Sequence, residues 1–244
     1  MVEVTASPRP IALWAVPRSI STAFERVFVE RGDFKVFHEP FSASYYYSAE
    51  RRSDRYADEE PKEEYAYAEV LARLLAPEEK PVFLKDMAYH VVGLMDRDFA
   101  ARFTNTFLIR DPKSVLASLY EFWPDFTFEE AGYEQLHRLF RYATEEGQRA
   151  VVVDASDISE NPEGTVSAYC EALGIPFMPE SLSWEPRKVP EWEMWGEWHE
   201  EAEKSMGIKK QQLKSETRIP EGLEEVYARC LPYYEALHAE RLRV

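Results

Sequence analysis

The sequence is short of cysteine, of positive charge and of long apolar runs, and each shortage excludes something. Its 244 residues hold two cysteines, Cys170 and Cys230, each within a helical pattern. In a chain without export features these are expected to be buried thiols rather than a structural disulfide. The apolar runs reach only strand length, far below the roughly 20 residues that a membrane span requires. MVEVTASPRP carries an acid and a proline where a signal peptide has a basic and then an apolar segment, so the expected location is cytoplasmic. Lysine and arginine number 29 against 45 aspartates and glutamates, a net charge of −16 that would repel nucleic acid and anionic membranes. An anionic ligand would therefore have to be held by local groups rather than by a general field.

What is present is the material of a core. Hydrophobic residues make up 45% of the chain, enough for a large α/β domain. The strand candidates are Ile11–Ala15, Lys35–His38, 82–85, 106–109 and 150–153. Most are apolar with little alternation, the pattern of strands covered on both faces of a parallel sheet. Helical stretches lie between them. One spans 63–76; a second opens on the capping box Thr127-Phe-Glu-Glu130 and ends at Gly147; a third runs from Pro162 to Gly174. The alternation predicts a single domain over 1–244, three-layer α/β, with a mostly parallel sheet of about five strands flanked by helices. Residues 11–177 form its core and 178–244 a C-terminal helical or lid region. Two segments interrupt the pattern. Residues 41–62 look like a mobile excursion, and 181–207 hold Trp184, Trp192, Trp195 and Trp198, which either cover a core edge or line a pocket.

Open parallel sheets bind ligands at the carboxyl ends of their strands. The first strand is followed by Pro17, Arg18, Ser19, Ser21 and Thr22, and the second by His38 and Glu39. The third ends in Lys85 and Asp86, the fourth in Arg110 and Asp111, the fifth in Asp154. In "VPRSISTAFERVF", residues 16–28, the unpaired amides of a helix beginning near Ser21 combine with three hydroxyls and Arg18. Such a set can hold an anion; the alternative, ordinary N-capping by Ser19 or Ser21, explains one hydroxyl but not three and an arginine. The glycines and lysine of G-x-x-x-x-G-K-[ST], which grip a triphosphate, are missing. In "FLIRDPKSVLASLYEF", residues 107–122, Arg110 ends a strand and Ser118 falls about two helical turns in. Both can face a phosphate beside that helix; the competing partner for Arg110 is Asp111.

"PRSISTAFERVF", then "IRDPKSVLASLYEF", then "VVVDASDISENPEGTVSAYCEALGIPF" at 151–177, resemble in order the motifs of the sulfotransferase family. The resemblance runs from about residue 11 to 177. It implies a P-loop NTPase-like architecture, 3′-phosphoadenosine 5′-phosphosulfate (PAPS) as donor, adenosine 3′,5′-bisphosphate (PAP) as product, and no metal. Carried over by position, Arg18, Ser19, Ser21 and Thr22 hold the 5′-phosphosulfate, and Arg110 and Ser118 the 3′-phosphate. Arg18 and Lys85 stabilise the leaving oxygen. Family members often have glycine where Ile20 stands. Many also carry a Lys-x-His run, replaced here by Lys85-Asp86-Met87. Other branches put a glutamate after the second strand, which makes Glu39 the implied base, with His90 in reserve and His38 supporting the loop. Ser205, Lys209 and Lys210 correspond to a late basic loop over the cofactor, or else to a solvated patch. The implied acceptor is a hydroxyl on a small metabolite, with Tyr45, Tyr46, Tyr47 and the tryptophans as an aromatic pocket. The competing functions are a phosphotransferase with a divergent P-loop and a non-catalytic nucleotide-binding protein of the same fold. Nothing in the sequence sets an oligomeric state.

Overall fold

β1 (Ile11–Ala15), β2 (Lys35–His38), β3 (Val82–Met87), β4 (Thr104–Ile109) and β5 (Val151–Asp154) form one parallel sheet in the order β2-β3-β1-β4-β5. This is the arrangement in a computed structural model that describes residues 9–208 and 217–244. Side chains alternate across the sheet. Ala12 and Trp14 enter one apolar layer, Ile11, Leu13 and Ala15 the other, so a strand buried on both sides reads as an unbroken apolar run. The register sets Ala15 beside Met87 and Leu108, and His38 beside Lys85. The strands thus end at nearly one level, which gathers the loops that follow them. β3 runs past the apolar pattern to include Asp86 and Met87, because Lys85 and Asp86 are themselves fully buried.

The helices are α1 (Ser21–Arg31), α2 (Ser42–Tyr47), α3 (Tyr67–Leu75), α4 (Arg97–Ala100), α5 (Pro112–Phe122), α6 (Phe128–Ala131), α7 (Tyr133–Glu145), α8 (Ala155–Glu160), α9 (Pro162–Leu173), α10 (Gly196–Lys204) and α11 (Glu224–Ala239). One layer packs Val70, Leu116, Leu136 and Leu237, from α3, α5, α7 and α11, against the sheet. The other packs Phe24, Phe28, Val166 and Tyr169, from α1 and α9. Cys170 and Cys230 are buried free thiols. Among the described residues no helix is long and apolar enough to cross a membrane.

Three expectations change. The helix opening at Thr127 has its capping box but breaks after one turn at Gly132, whose φ is 81°. A Cβ there would lie 3.4 Å from Pro17 Cδ and 3.5 Å from Tyr89 Cδ1, so the break lets this corner sit against the loop after β1. The stretch 63–76 begins as a 3-10 turn, Glu63–Tyr65, and becomes α3 only from Tyr67. The excursion 41–62 opens with α2, whose Tyr45 and Tyr46 are buried and pack edge-on at 4.9 Å. Burying two aromatic rings ties this end of the segment to the body of the fold.

The tryptophan-rich segment divides its labour. A 3-10 turn (Pro190–Trp195) and α10 lie against β2 and α1. The buried Arg26 guanidinium donates to the carbonyls of Ala202 at 2.9 Å and Glu185 at 2.8 Å, and lies 4.9 Å from the Trp184 ring. Trp184 and Trp192 are packing residues, whereas Trp195 and Trp198 face a cavity.

Candidate active site

The strand ends enclose a cavity of about 490 Å³. Residues 17–23, Arg110 and Ser118 line one part, and Tyr46, Tyr89, His90, Trp123, Trp195 and Trp198 line another. The loop from β1 to α1 is bent in an unusual way. Arg18 and Ile20 both have positive φ, 56° and 60°, and Ile20 is the N-cap of α1 without a side-chain capping bond. Alternating left-handed residues turn successive amides into one hollow, and the uncapped helix adds its own N–H groups. A β-branched residue in that region is strained by roughly 1–3 kcal/mol. Ile20, the position where the resembling family often has glycine, lies half-buried against the apolar layer beside α1.

Within this loop the side chains have separate tasks. Ser19 Oγ donates to the Val16 carbonyl at 2.7 Å and is buried, so its hydroxyl braces the turn. Ser21 and Thr22 line the cavity. Arg18 Nε donates to Ser118 Oγ at 2.9 Å, and Arg110 Nη1 donates to the Arg18 carbonyl at 2.5 Å. Arg18, Arg110 and Ser118, expected on two different phosphates, therefore form one connected group. The Arg18 guanidinium also lies 4.4 Å from the Phe122 ring centre. Burial lowers both arginines from their ordinary pKa. Asp111, the competing partner, instead caps α5 by accepting from the Lys113 amide.

A second group sits where β2 and β3 end. Lys85 Nζ, fully buried, donates to Glu39 Oε1 at 2.5 Å and lies 3.5 Å from Thr22 Oγ1. Glu39 has left strand geometry, with φ of 41°, so it does not point away from His38; His38 Nε2 is 3.7 Å from Glu39 Oε1. Burial raises the Glu39 carboxyl, but Lys85, then His38, His90 and His199, outweigh it and hold the group well below the usual carboxylate range. A carboxylate so stabilised is a poor proton acceptor. Beside it, buried Asp86 accepts from the Phe41 and Met87 amides and from His90 Nδ1 at 2.6 Å. Burial pushes the Asp86 carboxyl up, against the pull of His90. Among the described residues His90 Nε2 is buried without a hydrogen-bond partner, and the ring lines the cavity.

Glu25 and His199 belong to this site and were missed in the sequence, and the packed Trp192 touches it through Glu25. Glu25 accepts from Trp192 Nε1 at 2.7 Å and from His38 Nδ1 at 2.8 Å. His38 Nε2 meets His199 Nε2 at 2.8 Å, and His199 Nδ1 lies 3.4 Å from Thr22 Oγ1. Burial, with His38 and Lys85 nearby, pulls His199 down to about 3, against the opposing pull of Glu39. Glu25 was findable: it lies three and four residues beyond Thr22 and Ser21, on the helix face they share. His199, inside the acidic helix α10, gave no signal. Ser205 accepts from Trp184 Nε1 at 3.0 Å at the cavity edge, and Lys209 and Lys210 lie outside the described residues. Among the described residues His38, Glu39 and His199 bring three possible metal-ligand atoms within 4.8 Å. The Lys85 ammonium on Glu39 and the hydrogen bond between the imidazoles occupy electron pairs that a cation would need, so the cluster is suited to holding protons.

Two proteins of Arabidopsis thaliana, the branched-chain-amino-acid aminotransferase-like proteins 2 and 1, are each 28% identical to the chain. The matches cover 93% and 96% of this chain but 41% and 42% of theirs, so the chain spans about two-fifths of the length of these curated relatives. Among solved structures, the sulfotransferase domain from the curacin biosynthetic pathway superposes with a TM-score of 0.53 at 15% identity, covering 93% of this chain and 96% of that one. The sulfotransferase domain of the Synechococcus PCC 7002 olefin synthase gives 0.54 at 14% identity, with 97% of each chain covered. At such identities the likeness is one of fold. The sulfotransferase domain family matches residues 9–241, nearly the whole sequence, and the chain belongs to that family.

Proposed function

We propose that the protein transfers a sulfuryl group from PAPS to a hydroxyl of a small cytoplasmic metabolite. The observation that carries this reading is the joining of two anion-holding groups, the strained loop before α1 and the Arg110–Ser118 pair, through Arg18. The loop amides with Ser21 and Thr22 take the 5′-phosphosulfate. Arg110 and Ser118 take the 3′-phosphate, a group that a nucleoside triphosphate lacks. A phosphotransferase would leave that second group without a ligand.

The transfer needs in-line geometry, charge stabilisation and somewhere for a proton to go. The acceptor oxygen attacks sulfur, the bond from sulfur to the bridging oxygen breaks, and its electron pair stays on PAP. Lys85, next to Thr22, meets the charge on that oxygen, and Glu39 holds Lys85 in position. Glu39 was the base implied by the sequence resemblance. Its pairing with Lys85 favours His90 for that task. Asp86 accepts the Nδ1 proton of His90, which fixes the tautomer and leaves a free lone pair on the buried, unpartnered Nε2 of a ring that lines the cavity. Tyr46, Trp123, Trp195 and Trp198 supply flat apolar walls for the body of the acceptor. No step calls for a metal.

The test is formation of PAP from PAPS across a panel of small hydroxyl compounds. His90→Phe should lower turnover by about 10²–10⁴-fold and leave PAP affinity near wild type. Tight PAPS binding with no PAP formed from any acceptor would favour the non-catalytic binder. Unchanged turnover in His90→Phe would remove His90 from the chemistry.

A further inference from the structure

The transfer described above makes no use of the buried chain Glu25–His38–His199, which runs from the interior of α1 to Thr22 at the cavity wall. Its hydrogen bonds admit two proton arrangements. An ionised Glu25 only accepts, so His38 Nδ1 carries a proton in both. In the first, His199 Nε2–H donates to His38 Nε2 and the Thr22 hydroxyl donates to His199 Nδ1; both rings are neutral. In the second, one more proton sits on His199 Nδ1, and the Nε2 proton has passed to His38. His38 is then an imidazolium while His199 remains neutral. The two states differ by one proton and by what the cavity meets, a lone pair or an N–H.

We infer that this chain is a proton-linked clamp on the phosphosulfate: donor binding draws one proton from solvent into the chain, and His199 Nδ1–H closes on a terminal oxygen of the donor. The inference rests on the donor assignment made above. A lone pair on Nδ1 facing an anion beside Thr22 is repulsive, whereas an N–H there is a charge-assisted donor. The extra charge comes to rest on His38, between Glu25 at 2.8 Å and Glu39 at 3.7 Å. The groups facing the pair come from every side: Glu25 and Thr22 from α1, Arg18 from the loop before it, Glu39 from the end of β2, Lys85 from β3, and Trp192 from the 3-10 turn, with His90, from the turn after β3, acting on Glu39. Lys85 and Arg18 oppose a cation on His199 itself, in keeping with its depressed pKa, and the relay avoids that state by moving the charge one ring inward. Because His199 is carried by α10, the C-terminal segment grips the donor only when the chain is loaded.

The test is calorimetric titration of the full chain with PAPS, without acceptor, near neutral pH in buffers of different protonation enthalpy. The dependence of heat on buffer gives the protons taken up. Wild type should take up close to one proton more than His199→Leu or Glu25→Gln, and both variants should bind PAPS about tenfold more weakly. Titration of the 3′-phosphate is common to all three and cancels in the difference. If Glu25→Gln fails to fold by circular dichroism, His199→Leu decides alone. PAPS binding with the same proton count in wild type and His199→Leu overturns the clamp and leaves the donor assignment standing. Absence of PAPS binding by wild type overturns both.

Discussion

Arg18, Ile20 and Glu39 are the three non-glycine residues with positive φ among those described, and all three line the cavity. Strain of this kind costs roughly 1–3 kcal/mol per residue and persists only where surrounding contacts enforce it. Here the enforcing contacts are visible: Arg110 on the Arg18 carbonyl, the apolar packing of Ile20, and Lys85 on Glu39. Arg110 braces the loop, and under the proposed function it also holds the 3′-phosphate. Arg110→Ala should weaken PAP binding by about 1.5–3 kcal/mol, read by titration calorimetry, and unchanged affinity would remove it from the site. At this scale the gathering of Arg18, Ser21, Thr22, Arg110 and Ser118 at one cavity was legible, because a helix start, hydroxyls and a strand-end arginine have a chemistry visible in one dimension. The proton-holding residues were only half legible. His38, Glu39 and His90 stood close to strand ends, but the contact of Lys85 with Glu39 is a pairing across two strands. His199 reaches the site from 177 residues beyond Thr22.

Among the elements, the strands were the easiest to find, since burial on both faces leaves an apolar run with nothing to interrupt it. The ends of β3 and β5 were missed because a sheet edge that builds a polar site keeps its hydrogen bonds while its side chains turn charged; Lys85, Asp86 and Asp154 are all strand residues. The break between α6 and α7 was missed for another reason. Gly132 looks like a tolerable glycine inside a helical pattern, and only the nearness of Pro17 and Tyr89 shows what the bend is for. Gly132→Ala should cost about 1–2 kcal/mol, since alanine must adopt left-handed geometry there. The check is a thermal melt, with a fall of roughly 2–4 °C expected for each kcal/mol lost in a chain of this size. No change in melting temperature would mean that the corner relaxes.

For the whole molecule the proposed function sets an anionic donor inside a chain of net charge −16. The general field opposes such a ligand, so under that reading recognition falls to the buried Lys85, the half-buried Arg18 and Arg110, and oriented amides. The sheet makes this workable by ending its strands at one level, where Arg18, Lys85 and Arg110 come from three different strand ends. The aromatic wall was legible in composition and not in arrangement. Which tryptophans pack and which face the cavity depends on how Arg26 pins the C-terminal segment to α1, a contact spanning 176 residues. The most direct measurement is paired calorimetry of the full chain against PAP and ATP. A domain built around separate sites for a 5′-phosphosulfate and a 3′-phosphate should bind PAP tightly and ATP much more weakly. Tight binding of ATP with none of PAP would contradict it.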